Sequence, residues 1–187
     1  MAEFSFIESE RLYMRPYKDE DAQAMLEYHS DPAVVRYIPW PVRSLSDVQE
    51  SIAQNKNAFV LNAEGDYLTL ALCRKSDDQL IGQMNAMYRS EEHRKGEFGY
   101  VINPRFGGQG YATEASQALI SALFESGLFL RVIANIDPRN HSSVKLVERL
   151  GLRREAHHIQ DYWFKGEWTD SYIYATLKEE WIQKREG

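Results

Sequence analysis

Gly96-Glu97-Phe98-Gly99-Tyr100-Val101-Ile102-Asn103-Pro104-Arg105-Phe106-Gly107-Gly108-Gln109-Gly110-Tyr111-Ala112-Thr113-Glu114-Ala115 is the stretch on which the fold turns. Its first part, 97–102, reads as a strand in which Glu97, Gly99 and Val101 share one face by the two-residue repeat. Asn103-Pro104 ends the strand, and Gly107, Gly108 and Gly110 put three of the chain's 11 glycines within four positions. After them Ala112, Ala115, Leu119, Ala122 and Leu123 form a helical stripe that stops at Gly127. A glycine-rich loop opening a helix offers unpartnered N–H groups, the positive end of the helix dipole and a main chain without Cβ atoms in the way of an anion. Arg105 adds a cation, so the loop is read as a phosphate site. A nucleoside triphosphatase loop is excluded, because Gly110 is followed by Tyr111-Ala112 where Lys-Ser or Lys-Thr is needed. A dinucleotide fingerprint lacks its third Gly or Ala, since Thr113 stands there; an NAD-binding oxidoreductase, with Asp137 as the ribose acid, is the remaining alternative from another class.

On the N-terminal side, Leu12-Tyr13-Met14-Arg15 before Pro16 reads as a strand and 19–28 as a helix with Ala22, Met25 and Leu26 on one face. The prolines of Tyr37-Ile38-Pro39-Trp40-Pro41 exclude regular helix there. Ser44 and Ser46, with Asp47 and Gln49 three residues on, offer caps for a helix running to about Phe59. Strands follow over 67–74, 80–88 and 97–102 as an antiparallel meander, the first two joined by Ser76-Asp77-Asp78-Gln79. Beyond the loop come a strand at 131–136, a helix over 140–150 stopped by Gly151, and strands near 154–164 and 168–177 around Lys165-Gly166-Glu167. An antiparallel half is thus joined to one βαβ-like half, an α+β plan with a mixed sheet.

The 187 residues fit one domain, with no repeat, low-complexity tract or linker to divide them. No apolar run approaches the ~18 residues needed to span a bilayer; the richest, 118–133, is interrupted by Ser121, Glu125, Ser126 and Arg131. The early residues carry Glu3, Glu8 and Glu10 rather than a signal pattern, so the expected location is the cytoplasm. With 22 basic and 28 acidic residues the net charge is −6, which argues against salt-driven nucleic-acid binding and favours a cationic partner. The one cysteine, Cys73, excludes an internal disulfide and a cysteine-rich zinc site, and sits in an apolar run as a small core residue.

Arg105-Phe106-Gly107-Gly108-Gln109-Gly110 matches the pattern Gln or Arg, two residues, Gly, one residue, Gly or Ala, and so resembles the GNAT superfamily of acetyl-CoA-dependent N-acetyltransferases. The wider run 96–115, Asn140-His141-Ser142-Ser143 through Glu148-Arg149-Leu150-Gly151, Gly166 to Asp170, Glu10 to Pro16 and Trp40-Pro41 are similar to its RimJ/RimL-like branch. The resemblance implies one acyl-CoA N-acyltransferase domain over 1–187, with a mostly antiparallel central sheet and flanking helices. It implies acetyl-CoA as acetyl donor, its pyrophosphate on Arg105, Gly107, Gly108, Gln109, Gly110, Tyr111, Ala112 and Thr113, and its pantetheine beside Tyr100, Val101 and Ile102. Asn140 is expected both to cap its helix and to touch the cofactor. No metal, nucleic acid or membrane is expected, and a homodimer is compatible with the branch.

Acetyl transfer from a thioester to an amine needs a neutral amine and a proton for the departing thiolate. Glu97 is the candidate base, because Gly99 leaves room for a ligand on the same strand face. Many GNAT enzymes carry a Tyr four residues after the position of Ser143, and here that residue is Val147; the resemblance to the RimJ/RimL-like branch implies instead that Ser143 hydrogen-bonds the leaving sulfur. His141, His157 and His158 bring further acid–base groups, but adjacent strand residues face opposite sides, so His157 and His158 cannot share a metal. Tyr37, Trp40, Trp163 and Trp168 are expected to wall the acceptor site. The acceptor implied is a protein or peptide N-terminus, of ribosomal-protein type, or a small amine. A CoA-binding sensor or assembly module on the same fold is the alternative that Val147 raises.

Overall fold

The computed structural model describes residues 1–186. Its strands are β1 (Ala2–Glu3), β2 (Ile7–Glu8), β3 (Leu12–Arg15), β4 (Val60–Leu61), β5 (Tyr67–Arg74), β6 (Gln79–Ser90), β7 (Lys95–Ile102), β8 (Arg131–Ile136), β9 (Arg153–Phe164) and β10 (Glu167–Leu177). Its helices are α1 (Ala22–His29), α2 (Pro32–Val35), α3 (Leu45–Asn55), α4 (Tyr111–Glu125), α5 (His141–Arg149) and α6 (Lys178–Glu186). Eight strands form one sheet in the order β2-β3-β5-β6-β7-β8-β10-β9, and β1 pairs with β4 apart from it. Every pairing in the large sheet is antiparallel except β7 with β8, so the mixed α+β plan with a mostly antiparallel sheet is the one observed.

β5 is buried along nearly its whole length because both faces of the sheet are covered. Leu68, Leu70 and Leu72 point to the side where Ala115, Leu119, Ile120 and Leu123 of α4 pack, together with Leu146 and Val147 of α5. Ala71, Cys73 and Val101 point to the other side, under Ala22 and Met25 of α1 and Val48 and Ile52 of α3. Each fully buried Leu or Ile in these layers contributes on the order of 2 kcal/mol. Cys73 is one of these core residues, with no exposed surface.

Two expectations are corrected. α3 ends at Asn55 rather than near Phe59: Ala58 O accepts from Thr69 N and Phe59 O from Phe4 N, so sheet-like pairing claims these residues. Its cap is Ser44, whose Oγ accepts from Asp47 N while Asp47 Oδ2 accepts from Ser44 N, and Ser46 lies inside the helix. The chain also forms α6 directly after β10, where no apolar stripe announces a helix; Trp181 holds it by burial and by donating from Nε1 to Ser121 Oγ at 3.0 Å.

β7 and β8 pair over only three residues, Lys95–Glu97 with Arg131–Ile133. Past Glu97, β7 stays with β6 while β8 stays with β10 to Ile136, so the two diverge and the β8-facing edge of 98–102 has no strand partner. Gly82 of β6 lies opposite Ile102 at the far end of this edge, and a Cβ there would run into the Val101 carbonyl oxygen. Gly82→Ala is therefore expected to cost roughly 2 kcal/mol through overpacking. Gly99→Ala, with no atom within 4 Å of its Cβ position, is expected to cost little. Urea denaturation midpoints of the two variants check the pair.

Candidate active site

The divergence of β7 and β8 opens into a cavity of about 580 Å³. Its floor is Thr69, Gln83, Asn85, Glu97 and Gly99 of the sheet; Asn140, Ser143 and Val147 of the α5 region form one wall, and Tyr37 and Trp40 another. Asn85 is paired across the sheet with Gly99, and Met87 with Glu97, so these side chains rise from one face. Gly99 leaves the center of that face bare.

At the other end of the unpaired edge stands the loop before α4. Gly108 and Gly110 have φ of +74° and +81°, conformations an L side chain adopts only with strain, and both are exposed. No side chain caps α4, and the first helical hydrogen bond runs from Glu114 N to Gly110 O. Among the described residues the N–H groups of Tyr111, Ala112 and Thr113 therefore lack a partner, which leaves them able to receive an anion. Glu114, the one acid in the first turn, is turned into the body: Arg11 N and Ser9 Oγ donate to its Oε1 and Arg11 Nε to its Oε2. Burial works against that charge, and these bonds outweigh it and hold its pKa below the usual value. Arg11 also donates to Gln109 O at 3.1 Å, and Arg149 to Thr113 Oγ1 at 3.3 Å. Arg105 does not stand free over the loop. Its guanidinium pairs with Glu27 at 2.9 Å, and Asn103 Nδ2 donates to the same carboxylate at 3.0 Å, so it braces the loop against α1.

Glu97 lines the cavity and pairs with Arg89, whose Nε donates to Oε2 at 2.7 Å; Oε1 has no partner among the described residues. Tyr100, whose main chain belongs to the unpaired edge, places its hydroxyl 3.1 Å from Ser143 Oγ. Burial pushes the Tyr100 phenol above its usual pKa, the Ser143 bond opposing it, so this hydroxyl is protonated at neutral pH. Val147 is buried on the same wall and offers no proton. Asn140 caps α5 by accepting from Ser143 N at 3.3 Å.

A polar chain crosses the floor. Arg43 Nη1 donates to His29 Nδ1 at 3.2 Å, and His29 Nε2 donates to Gln83 Oε1 at 2.8 Å. Gln83 Nε2 then donates to Asn85 Oδ1 at 3.2 Å, which also accepts from Thr69 Oγ1 at 2.7 Å. Trp40 stacks on the His29 ring at 5.2 Å, with the Arg43 guanidinium over its own ring at 4.8 Å. Gln83, Asn85 and Arg89 stand on β6, Arg43 precedes α3 and Arg149 ends α5; of these only Arg149 lies in a stretch that the sequence singles out.

Of the four aromatics expected to wall the acceptor site, Tyr37 and Trp40 line the cavity and Trp163 and Trp168 do not. The latter pair packs edge to face at 5.4 Å on the outer side of the β9–β10 hairpin, each more than half exposed. The hairpin reaches the cavity roof with Lys165 instead, whose ammonium donates to Val35 O at 2.6 Å and Trp40 O at 2.9 Å. His157 pairs with Asp170 at 2.8 Å outside the cavity, and no cluster able to hold a metal occurs among the described residues.

The model of the acetyltransferase (GNAT) domain matches residues 11–153. The chain is 35% identical to the uncharacterized N-acetyltransferase YnaD of Bacillus subtilis (strain 168), over 94% of this chain and 98% of that one. It is 27% identical to the [ribosomal protein uS5]-alanine N-acetyltransferase of Escherichia coli (strain K12), over 95% and 93%. A crystal structure of a GNAT-family acetyltransferase from Bacillus anthracis superposes with a TM-score of 0.84 at 32% identity, covering 94% and 99%.

The buried imidazole gives the site a pH signature. Burial lowers the His29 pKa from 6.5 to about 4, the Gln83 bond opposing and the Arg43 charge adding to the shift. The unfolded chain then binds the proton between these values and the folded one does not. Stability from this group is full above pH 6.5 and is lost as pH falls toward 4, by ~3 kcal/mol in total. Thermal melts from pH 7 to pH 4 should show this fall in wild type and a smaller one in His29→Gln.

Proposed function

The chain belongs to the GNAT acetyltransferase family and is an N-acetyltransferase, and from that premise we propose that it transfers the acetyl group of acetyl-CoA directly to a primary amine seated over Gly99. The observation that carries this is the continuity of the unpaired β7 edge: it begins at the uncapped N-terminus of α4 and ends at Glu97 in the cavity. The α4 end would hold the pyrophosphate through the N–H groups of Tyr111, Ala112 and Thr113, with Gly107, Gly108, Gln109 and Gly110 letting it approach. Arg149 and Arg11 add charge at that end, and Arg105 fixes the loop. The main chain of Tyr100, Val101 and Ile102 would hold the pantetheine amides where β8 has moved away, with Asn140 at the opposite wall. When bound, the donor supplies an activated thioester.

The chain's own groups then do the proton work. Glu97 Oε1 accepts a proton from the incoming ammonium, directly or through water, while Arg89 keeps the carboxylate oriented. The Tyr100–Ser143 hydroxyl pair is placed to return a proton to the thiolate, the role that Val147 cannot fill. This pair supports turnover over a CoA-binding module. A protein or peptide N-terminus and a small amine both present the primary amine that Glu97 requires, and the cavity wall around Trp40 must discriminate between them.

Substitutions at four positions test the assignment. Gly110→Asp adds a carboxylate at the phosphate position and should abolish acetyl-CoA binding in calorimetric titration while the fold persists. Glu97→Gln should lower kcat by roughly 10² or more with acetyl-CoA affinity nearly unchanged, and unaltered turnover across pH would remove Glu97 from the mechanism. Ser143→Ala should cost less, and Tyr100→Phe with Ser143→Ala should cost more than either alone.

A further inference from the structure

The polar chain on the cavity floor can run in one direction only. Arg43 has N–H groups and no acceptor, so His29 Nδ1 must receive its hydrogen bond and the ring proton stands on Nε2. Nε2 donates to Gln83 Oε1, which turns the Gln83 amide nitrogen toward Asn85 Oδ1. The same oxygen receives Thr69 Oγ1 from the neighboring strand. His29 and Gln83 are buried, and turning the Asn85 amide over would set its N–H groups against those of Gln83. The two bonds that Asn85 makes through its side chain therefore both use the oxygen. Its Nδ2 has no acceptor among the described residues, yet it is not one of the polar atoms buried without a partner. It keeps accessible surface on a half-buried residue, and the space that Asn85 lines is the cavity.

The charged groups of the cavity have both signs and choose no ligand by charge: Glu97 is paired with Arg89, Asp137 with Arg139, and Arg43 bonds to His29 and Ser51. A neutral donor of fixed direction is more selective. Asn85 lies opposite Gly99 on the β6–β7 ladder, and Glu97 is two residues along β7 on the same face. Diagonal neighbors of this kind stand ~7 Å apart, and Gly99 has no atom within 4 Å of its Cβ position to fill the space that both border. That space admits an amine at Glu97 Oε1 and one more polar atom, on the next carbon, at Asn85 Nδ2.

On the footing of the acetyl transfer proposed above, with the thioester along the β8-facing edge of β7, Asn85 is one strand, ~4.8 Å, further from it than Gly99 and meets the acceptor instead. We infer that Asn85 binds the acceptor by donating from Nδ2 to a carbonyl or hydroxyl oxygen on the carbon next to the one that bears the amine, and that Arg43, His29 and Gln83 are positioning residues that fix this polarity. Amino-acid amides, amino alcohols and the first residue of a peptide share that chemistry. A plain alkylamine, or a polyamine protonated along its length, gives Asn85 no oxygen to hold.

The test is CoA release from acetyl-CoA on acceptors of equal shape: glycinamide against isobutylamine, ethanolamine against propylamine, and triglycine as the peptide arm. Selectivity within a pair, the ratio of the two kcat/KM values, is compared between wild type and variant, which cancels the difference in basicity between the amines. Asn85→Asp keeps an oxygen for Gln83 and Thr69 and puts an acceptor where Nδ2 was, so selectivity for the oxygen-bearing member should fall about tenfold or more. Asn85→Ala should lower it by about tenfold, and should that variant fail to fold, Asn85→Asp retains the buried bonds. Gln83→Met releases the amide to turn and should give a smaller fall, chiefly through KM of the oxygen-bearing acceptor. A merely structural loss would lower both members of a pair together. The acceptor that shows the largest fall identifies the oxygen as that of an amide, a hydroxyl or a peptide. Titration of the oxygen-bearing acceptors into the CoA complexes of wild type and Asn85→Asp reads the contact without turnover. Selectivity unchanged in both Asn85 variants overturns the inference and leaves acetyl transfer standing. Binding of such an acceptor that depends on Asn85, in a protein that releases no CoA, upholds the inference and removes the reaction instead.

Discussion

Three residue pairs join β7 to β8, and then the strands part. Neither can close the gap, because each is committed elsewhere: β7 to β6 along its length, and β8 to β10 from Arg131 to Ile136. A sheet edge in the middle of a sheet leaves main-chain donors and acceptors that must be satisfied by something other than a neighboring strand. In this fold that edge runs between the cavity on one side and the uncapped α4 on the other, so its backbone groups are left open to a ligand. The remaining architecture keeps the parting fixed: α4 and α5 fill one face beneath it, and α1 and α3 brace the other.

The glycines along this path act for different physical reasons. Gly82 permits β6 to approach Val101 closely, which holds the end of β7 in register. Gly99 has empty space where a side chain would be, and that space is part of the cavity. Gly110 takes the left-handed conformation that lets the chain turn into α4 without a capping side chain. A Ser or Asp at that position would satisfy the first N–H groups internally and leave less for an anion. The ion pair of Arg11 with Glu114 completes the arrangement, since it turns the one acid of the first helical turn away from the unpartnered N–H groups of that turn.

What was legible in the sequence is what is contiguous in it. Residues 96–115 carry strand, loop and helix in order, so the fold and its glycine loop could be read together, and the helix over 141–149 announced itself by its cap and by Gly151. The cavity wall draws on residues 17, 40, 43, 85 and 89, from a loop, a proline-bounded segment and one strand, which no local pattern joins. Net charge is likewise a property of the whole surface, −6 over the chain, whereas the cavity is lined by Arg43 and Arg89 against Glu97 and Asp137, a local balance that composition does not reveal. Trp163 and Trp168 were assigned inward because large aromatics so near a candidate site suggest a wall. They lie on an edge hairpin whose exposed face alternation alone cannot identify.

The same hairpin nevertheless reaches the site through its turn. Lys165 has φ of +50°, and its ammonium bridges the carbonyls of Val35 and Trp40, more than a hundred residues earlier in the chain. Burial holds the Lys165 pKa below its usual value, yet two carbonyl acceptors keep the charge supported without a carboxylate. Arg139 pairs with Glu167 at 2.8 Å beside it, tying the hairpin to the loop that precedes α5. The roof segment with Trp40 is therefore positioned from both sides: by Arg43, which stacks on Trp40 and bonds to His29, and by Lys165, which holds the carbonyl of the same tryptophan. Ring and backbone of Trp40 are thus fixed by two different cations, and the cavity wall it forms is held from both ends of the chain.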